Sequence, residues 1–266
     1  MEKIKFYCVT NKKVEFLNTQ NFKFCWVGDG TPPENYLRCD EGDNIFHKEK
    51  FYSELTFHYW YWKNLLDSEN TNQWVGFCQK RRYWVKTEEI KRINKDNLDE
   101  FLIKSPEQDW KDYDAILCNP IEVHSPKKIK ILKRGWKNFL KNPSILYNKK
   151  KQNLLLHFDM HHGYGNLIKA IDKLDEVNKI DFKNFIIQNN SFNPHIMFIA
   201  KPHVIKLWFE NLFSWLQKCE DIFDFEKLHG YDTERLFAYL SERYLSYWFN
   251  KNFKCKEQNW VQLTNF

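Results

Sequence analysis

The apolar run Trp74 to Cys78 ends in Gln79 and three consecutive cations, Lys80, Arg81 and Arg82, before Tyr83 and Trp84. In open α/β sheets, ligands sit at the carboxyl ends of strands. A guanidinium group is planar, stays charged at every working pH and can make two hydrogen bonds to one phosphate. The segment therefore suits a diphosphate, and equally fits a strand that leaves the core into a solvated basic loop. A second cluster, His157-Phe158-Asp159-Met160-His161-His162-Gly163, carries His, Asp and His at alternate positions. That alternation predicts one face of an extended segment. Such a face could hold a transition metal, although zinc sites need further partners that the sequence does not supply at a recognisable spacing. Contact with a ligand and a purely structural role for the histidines are the other readings.

The elements that must position these residues are read from period and punctuation. Lys3 to Thr10 is β-rich and alternating, and Lys23 to Gly28 is a second short apolar run. Gly28 to Asn35 carries the Gly-Asp-Gly and Pro-Pro signals of a loop. From Phe51 the period becomes helical. Phe51, Leu55, Tyr59, Trp62 and Leu66 fall on one stripe, which predicts an amphipathic helix with Glu54, His58 and Tyr61 on its other side. Trp74 to Cys78, Ala115 to Cys118 and His195 to Ala200 read as buried strands of parallel type. Helical patterns at Asn166 to Val177 and Val204 to Cys219 separate later elements, and a last helix runs from about Thr233 to Phe249 with Asp232 or Thr233 as its N-cap. Strands alternating with helices make this an α/β chain.

Composition narrows the class. At 266 residues with 42% hydrophobic and 29% charged residues, the chain can bury a full core, and disordered and fibrous classes are excluded. The seven cysteines are odd in number and dispersed, which suits a reducing compartment. With no signal sequence after Met1 and no apolar run of spanning length, the expectation is a cytoplasmic protein whose membrane contact is at most peripheral. Aromatic residues, 18% of the chain, exceed ordinary usage and are compatible with stacking on sugar rings as well as with core packing. The net charge of +6 is local: Ser125 to Gln152 holds ten Lys or Arg and no acid, leaving 31 basic against 35 acidic residues elsewhere. Within it Ile129, Leu132, Trp136 and Phe139 recur at helical spacing, the pattern of a basic amphipathic segment on anionic lipid or of a solvated insertion.

Several stretches together resemble a known family. Gly42-Asp43-Asn44-Ile45, Glu54-Leu55-Thr56, Tyr59 to Asn64, and Val75 to Cys78 followed by Arg81-Arg82-Tyr83 agree in order and spacing with the capsular-polysaccharide and lipopolysaccharide glycosyltransferase family long catalogued as a domain of unknown function. Ile4 to Thr10 with Lys12 is similar to its first strand, Met197-Phe198-Ile199 with Leu212-Phe213 to its late strand and helix, and Arg235 to Glu242-Arg243 and Trp248 to its terminal helix. Gln79 and Lys80 stand where the family usually has His and an aromatic, Ile196 where it has Asn, and Asn11 where it has His.

The resemblance implies one nucleotide-sugar-binding (GT-A-like) domain over 1–266, a mixed sheet flanked by helices with a basic insertion at about 125–152. It implies a glycosyltransferase that takes a sugar from a nucleotide diphosphate, most simply a UDP-sugar, to a surface-polysaccharide acceptor that is lipid-linked, at the inner face of the membrane. Thr10 and Lys12 would face the donor, Arg81 and Arg82 its diphosphate, and His161 and His162 the donor or the acceptor. Glycosyl transfer passes through an oxocarbenium-like state and needs a base for the acceptor hydroxyl if the anomer inverts. Glu54, four residues before His58, Glu242, seven after Arg235, and Asp159 are the candidates, the first two equally readable as structural ion pairs. Many such enzymes place a divalent metal on an Asp-any-Asp motif. The literal match, Asp112-Tyr113-Asp114, precedes its strand and is read as a decoy. Neutralisation by arginines without a required cofactor is preferred, with manganese or magnesium as the open alternative. Two other classes compete: a nucleic-acid-binding protein using the basic-aromatic segments, disfavoured by the acidic remainder, and a metal-dependent hydrolase on His157, Asp159 and His161.

Overall fold

The computed structural model describes residues 3–17, 21–123 and 128–264. Along the chain run β1 (Lys5–Thr10), β2 (Phe22–Trp26), β3 (Leu37–Arg38), α1 (Glu49–Tyr52), α2 (Leu55–Asn64), β4 (Val75–Gln79), β5 (Arg82–Trp84), α3 (Leu98–Phe101) and β6 (Ala115–Cys118). Then follow β7 (Ile121–Glu122), α4 (Lys128–Arg134), α5 (Trp136–Lys141), α6 (Leu154–His162), α7 (Asn166–Ile171), α8 (Glu176–Gln188) and β8 (Ser191–Phe192). The remainder is β9 (Phe198–Ala200), α9 (Pro202–Glu220), α10 (Tyr231–Glu234), α11 (Leu236–Asn252), β10 (Cys255–Gln258) and β11 (Trp260–Gln262). Two compact units interleave in sequence: residues 1–119, 195–211 and 248–266, and residues 120–194 and 212–247.

The first unit is a mixed sheet in the order β10-β6-β9-β4-β1-β2-β3, with β5 and β11 continuing antiparallel from β4. Strand β1 pairs in parallel with both β2 and β4, and β2 in parallel with β3. Strand β9 is antiparallel to both neighbours, contrary to the parallel type read from its sequence: a run buried on both faces looks the same in either direction. On one face Phe6, Cys8, Cys78, Trp84, Ile116 and Ile199 pack together. On the other, Tyr7, Phe57, Tyr61, Phe77, Phe198 and Phe209 form an aromatic layer, with Tyr61 to Phe77 centroids 5.2 Å apart and Phe77 to Phe198 4.9 Å.

That layer corrects the expected helix stripe. Leu55 and Leu66 of that stripe are buried as expected, but the buried side of α2 continues through Thr56, Phe57, His58 and Tyr61, whereas Tyr59 and Trp62 are half-exposed. Aromatic residues occupy every side of this helix, so hydrophobicity alone did not identify the inner face. Ser53, with φ 52°, separates α1 from α2. The terminal helix is likewise two, α10 and α11, joined at Arg235.

The second unit is helical, with the short antiparallel pair β7 and β8. The segment 157–162 belongs to α6, not to an extended strand. Asn153 caps it by accepting from the Leu156 N–H at 3.1 Å, and Leu154, Leu156, Phe158 and Met160 are buried. In a helix, alternate positions do not share a face, so His157 and His161 stack at 4.5 Å while Asp159 points elsewhere. Ser125, Pro126 and Lys127 of the basic segment fall outside the described residues. Among the described residues no helix is long and apolar enough to cross a membrane.

The sheet contains one position where a glycine is required by close approach. A Cβ on Gly76 would lie 2.5 Å from Phe6 Cε1 and 3.1 Å from Ile199 Cγ1. Gly76→Ala is therefore expected to destabilise the protein by about 1–3 kcal/mol through overpacking. Urea denaturation checks this, and an unchanged midpoint would contradict the packing described.

Candidate active site

Sheet order reverses between β1 and β4: β2 and β3 follow β1 on one side, and β4 returns to its other side. Crevices for ligands form at such switch points, outside the carboxyl ends of the strands. At this place Lys80 and Arg81 make the two-residue turn between β4 and β5, with Gln79 opposite Arg82. The backbone of the turn is tied down on three sides. Lys80 N–H donates to Val9 O at 3.1 Å, Leu263 N–H to Arg81 O at 2.8 Å, and Tyr83 OH to Lys80 O at 2.7 Å. Both arginines are half-buried, not free in bulk solvent.

Gln79 orders the polar groups beside the turn. Its amide oxygen accepts from Arg82 Nη1, and its Nε2 donates to Glu54 and, at 2.8 Å, to His195 O. Glu54 thus bonds Gln79 and does not pair with His58 as expected. His58 is buried with no hydrogen-bond partner on Nδ1, and burial pushes its pKa down to about 3. The carbonyl of His195 is presented by an unusual backbone: His195 and Ile196 have φ values of 76° and 53°. Left-handed geometry costs about 1–2 kcal/mol for a residue with a Cβ, and Asn bears it better than Ile. This is a physical reason for Asn at the position Ile196 fills here.

Across the switch point, Lys80 Nζ bonds Asn11 Oδ1. Thr10 Oγ1 accepts from Lys12 N–H at 3.0 Å and donates to Lys12 O at 2.6 Å. Thr10 is buried and shapes the loop through this turn, while Lys12 is exposed. A Cβ on Gly28 would lie 3.5 Å from Asn11 Cβ, which places the Gly28-Asp29-Gly30 loop against Asn11. That loop, with Trp26, Arg38, Asp40 and Phe46, borders an open cavity of about 160 Å³. It is smaller than the roughly 300 Å³ at which pockets for drug-sized ligands begin, a size for one ring. Arg38 Nε donates to Asp40 Oδ1 at 3.0 Å, and this bond holds the Asp40 carboxyl below its ordinary range. Asp112 and Asp114 lie before β6, at its amino end, where Asp114 accepts from Lys254 N–H at 2.9 Å. Among the described residues no group of three potential ligands could hold a metal ion.

The other four sequence candidates, Asp159, His161, His162 and Glu242, belong to the second unit. Arg243, not anticipated as a centre, binds Glu242 and the neighbouring His157. It is fully buried, its Nη1 bonds Glu242 Oε2 at 2.6 Å, its Nη2 lies 3.2 Å from His157 Nδ1, and its guanidinium sits 3.6 Å from the Phe192 centroid. Burial and then the Arg243 charge push the His157 pKa down to about 2, so its ring is neutral and Nδ1 accepts. His161 and His162 have the opposite tautomer. Each Nδ1 faces a carbonyl, of His157 and Asp232, at 2.9 Å; because a carbonyl only accepts, Nδ1 carries the proton. Burial lowers the His162 pKa to about 4 and also lowers that of His161. Asp159 is buried, accepts from Gly165 N–H at 3.0 Å and has its pKa raised, first by burial. The cavity beside His157 and His161 measures about 10 Å³, room for about one water.

Residues 5–253, spanning both units, match the family described as a domain of unknown function, DUF4422. The chain belongs to this family. No curated protein matches it. Among solved structures, this DUF4422 member is similar to the apo structure of WbbM, a bifunctional glycosyltransferase, with 21% identity and a TM-score of 0.62. The match covers 99% of this chain and 46% of that one, so the chain spans just under half the length of the solved protein. At this identity the likeness is one of fold, and it agrees with the mixed sheet flanked by helices expected from the sequence.

In this DUF4422 member the depressed histidine pKa values carry a stability consequence. A histidine at about 4 in the folded state and near 6.5 unfolded binds fewer protons when folded. Stability is then full above pH 6.5 and falls as pH drops toward 4, by about 1.4 kcal/mol per pH unit for each such group. His162→Phe, which retains a ring against Tyr239 (3.7 Å centroid distance), is expected to flatten this slope between pH 6.5 and 4. Denaturant midpoints of both proteins across that window test it, and parallel slopes would contradict the burial of a neutral His162.

Proposed function

We propose that this protein is a glycosyltransferase that moves a sugar from a nucleoside-diphosphate donor to a growing surface polysaccharide, with the Lys80–Arg82 turn receiving the diphosphate. The observation that carries the reading is the pair of half-buried arginines at the switch point, of which Arg82 is held by Gln79, beside Lys80 bonded to Asn11. Fixed cations at the place where negative charge develops are worth more than mobile ones, since they need no reorganisation during the reaction. The shared fold of WbbM, a bifunctional glycosyltransferase, supports the same class. The transferase domain is then the whole chain, 1–266, with the basic segment at about 125–152 included.

In this reading an acceptor hydroxyl oxygen forms the new bond to the anomeric carbon while the bond from that carbon to the diphosphate breaks. The leaving diphosphate takes the bonding electrons and is neutralised by Arg81 and Arg82. Glu54 is assigned as the group that takes the hydroxyl proton, because its carboxylate binds the same amide that holds Arg82. Asp159 and Glu242 are the alternative carboxylates, and His161 and His162 the further donor or acceptor contacts. Thr10 shapes the loop that carries Lys12 toward the donor, and the cavity at Trp26 and Arg38 takes the donor's base, with a uridine nucleotide as the assigned donor. The acceptor is a lipid-linked saccharide of capsule or lipopolysaccharide type, which places the reaction on the cytoplasmic side of the membrane. Manganese or magnesium would sit on the diphosphate oxygens, for which carboxylates are the fitting protein ligands.

Nucleoside diphosphates are expected to raise the melting temperature of the wild-type protein, by about 2.7 kcal/mol of stabilisation at one hundred times Kd. Arg82→Ala and Arg81→Ala are each expected to lower donor turnover by about 100-fold or more, and the Lys replacements to recover only part of it. Full turnover in both alanine variants would reject the arginines as the diphosphate site. Activity that survives a chelator fits neutralisation by arginine alone; loss on chelation with rescue by manganese would assign part of that task to a metal.

A further inference from the structure

The basic segment presents a surface that the transfer chemistry does not use. Helices α4 and α5 are nearly continuous: Gly135 N–H donates to Ile131 O at 2.8 Å, and Phe139 N–H to Gly135 O at 2.9 Å. Their inward side is anchored. Ile131 is fully buried and Ile145, Leu156 and Met160 nearly so, with Phe139 packed against them. A Cβ on Gly135 would come within 3.1 Å of Met160 Cγ, so this side is closely packed. Phe139, expected on the outer stripe, therefore belongs to the anchor.

Away from that side, a row of large apolar residues is exposed. Ile129 is 68% exposed, Leu132 44%, Trp136 50% and Leu140 67%, and they recur at the helical period along one face. Tyr147, at 78%, lies farther along the same segment with Lys128 Nζ 4.5 Å from its ring centroid. Lys130, Lys133, Lys137 and Lys141 are all exposed and fall along one edge of this stripe at helical spacing. Single exposed apolar residues need no explanation, but a row of large ones rimmed by cations does.

We infer that this face of α4 and α5 docks on a bilayer surface rich in anionic phospholipid. Ile129, Leu132, Trp136 and Leu140 enter the boundary between headgroups and acyl chains, and the lysine row lies among the headgroup phosphates. Charge complementarity selects this occupant. The segment Ser125 to Gln152 holds ten cations and no acid, whereas the remainder of the chain is net acidic. A helix with an apolar stripe beside lysines, and with a Trp at its border, has the build of one that lies in the interface plane. A nucleic acid would engage the lysines but would leave Ile129 and Leu140 in water. The inference goes beyond the transfer reading and does not depend on it, because binding to vesicles is read without turnover.

The test is flotation of the full-length protein with vesicles of phosphatidylcholine alone and of phosphatidylcholine mixed with phosphatidylglycerol. Two variants accompany it: Trp136→Ser with Leu140→Ser, and Lys133→Gln with Lys137→Gln and Lys141→Gln. All these positions are exposed, and circular-dichroism melting of each variant verifies its fold. The wild type is expected to float with the mixed vesicles and not with the neutral ones. Losing three cations should weaken that binding by about 100-fold, and the apolar variant should lose it with every charge retained. No flotation, equal flotation with neutral vesicles, or full retention by the apolar variant would overturn the inference. The last outcome, with tight salt-sensitive binding to single-stranded RNA, would reassign the face to a nucleic acid.

Discussion

The structure turns on the parallel pairing of β1 with β4. Residue Cys8 stands opposite Cys78 and Val9 opposite Gln79, so the loop after one strand and the turn after the other must emerge side by side. Because the interior of the sheet is apolar and tightly filled, neither strand can slip without moving every side chain to the wrong face. The register therefore fixes where three successive cations leave the core. Like charges crowded at one place repel, and here neutral amides are set among them: Asn11 takes Lys80, and Gln79 takes Arg82 while holding Glu54. A neutral partner orients a cation without cancelling its charge, which a carboxylate would do.

The second unit handles buried charge differently. Arg243 lies in apolar surroundings, and a buried cation without partners would cost several kcal/mol. Glu242, the ring of His157 and the face of Phe192 together surround it. Burial acts to lower the Arg243 pKa, and Glu242 opposes that effect. Around this ion pair the three histidines are kept neutral, each with its tautomer set by the single group its Nδ1 meets. Such an arrangement specifies one packing of α6 against α11 within the unit.

Much of this was legible in the residues. The strands at Lys5, Phe22, Val75 and Ala115 announced themselves by apolar runs with turn signals, and the cationic turn stood out because three consecutive charges follow a buried strand. What escaped detection did so for definable reasons. The inner face of α2, with Leu55, Phe57, His58 and Tyr61, is not marked by hydropathy because aromatic residues occupy every side of the helix, and the alternation of His and Asp in α6 imitates the period of a strand. In the sequence Gln79 is a departure from a resemblance, and its joining of Glu54 to Arg82 is visible only once the end of β4 lies beside the start of α2. Arg243 was one cation among 41 Lys and Arg until its burial was known. The positive φ of Ile196 is not signalled by Ile, which rarely occupies that region; the Asn that the resembled family has at this position is its sequence signal.

The most direct test of the diphosphate site is a crystal structure of the protein with a uridine diphosphate bound. The expected result is a diphosphate within hydrogen-bonding distance of the Arg81 and Arg82 guanidinium groups, with the base toward Trp26 and Arg38. A well-ordered nucleotide elsewhere, with Arg81 and Arg82 touching none of its phosphate oxygens, would contradict the assignment.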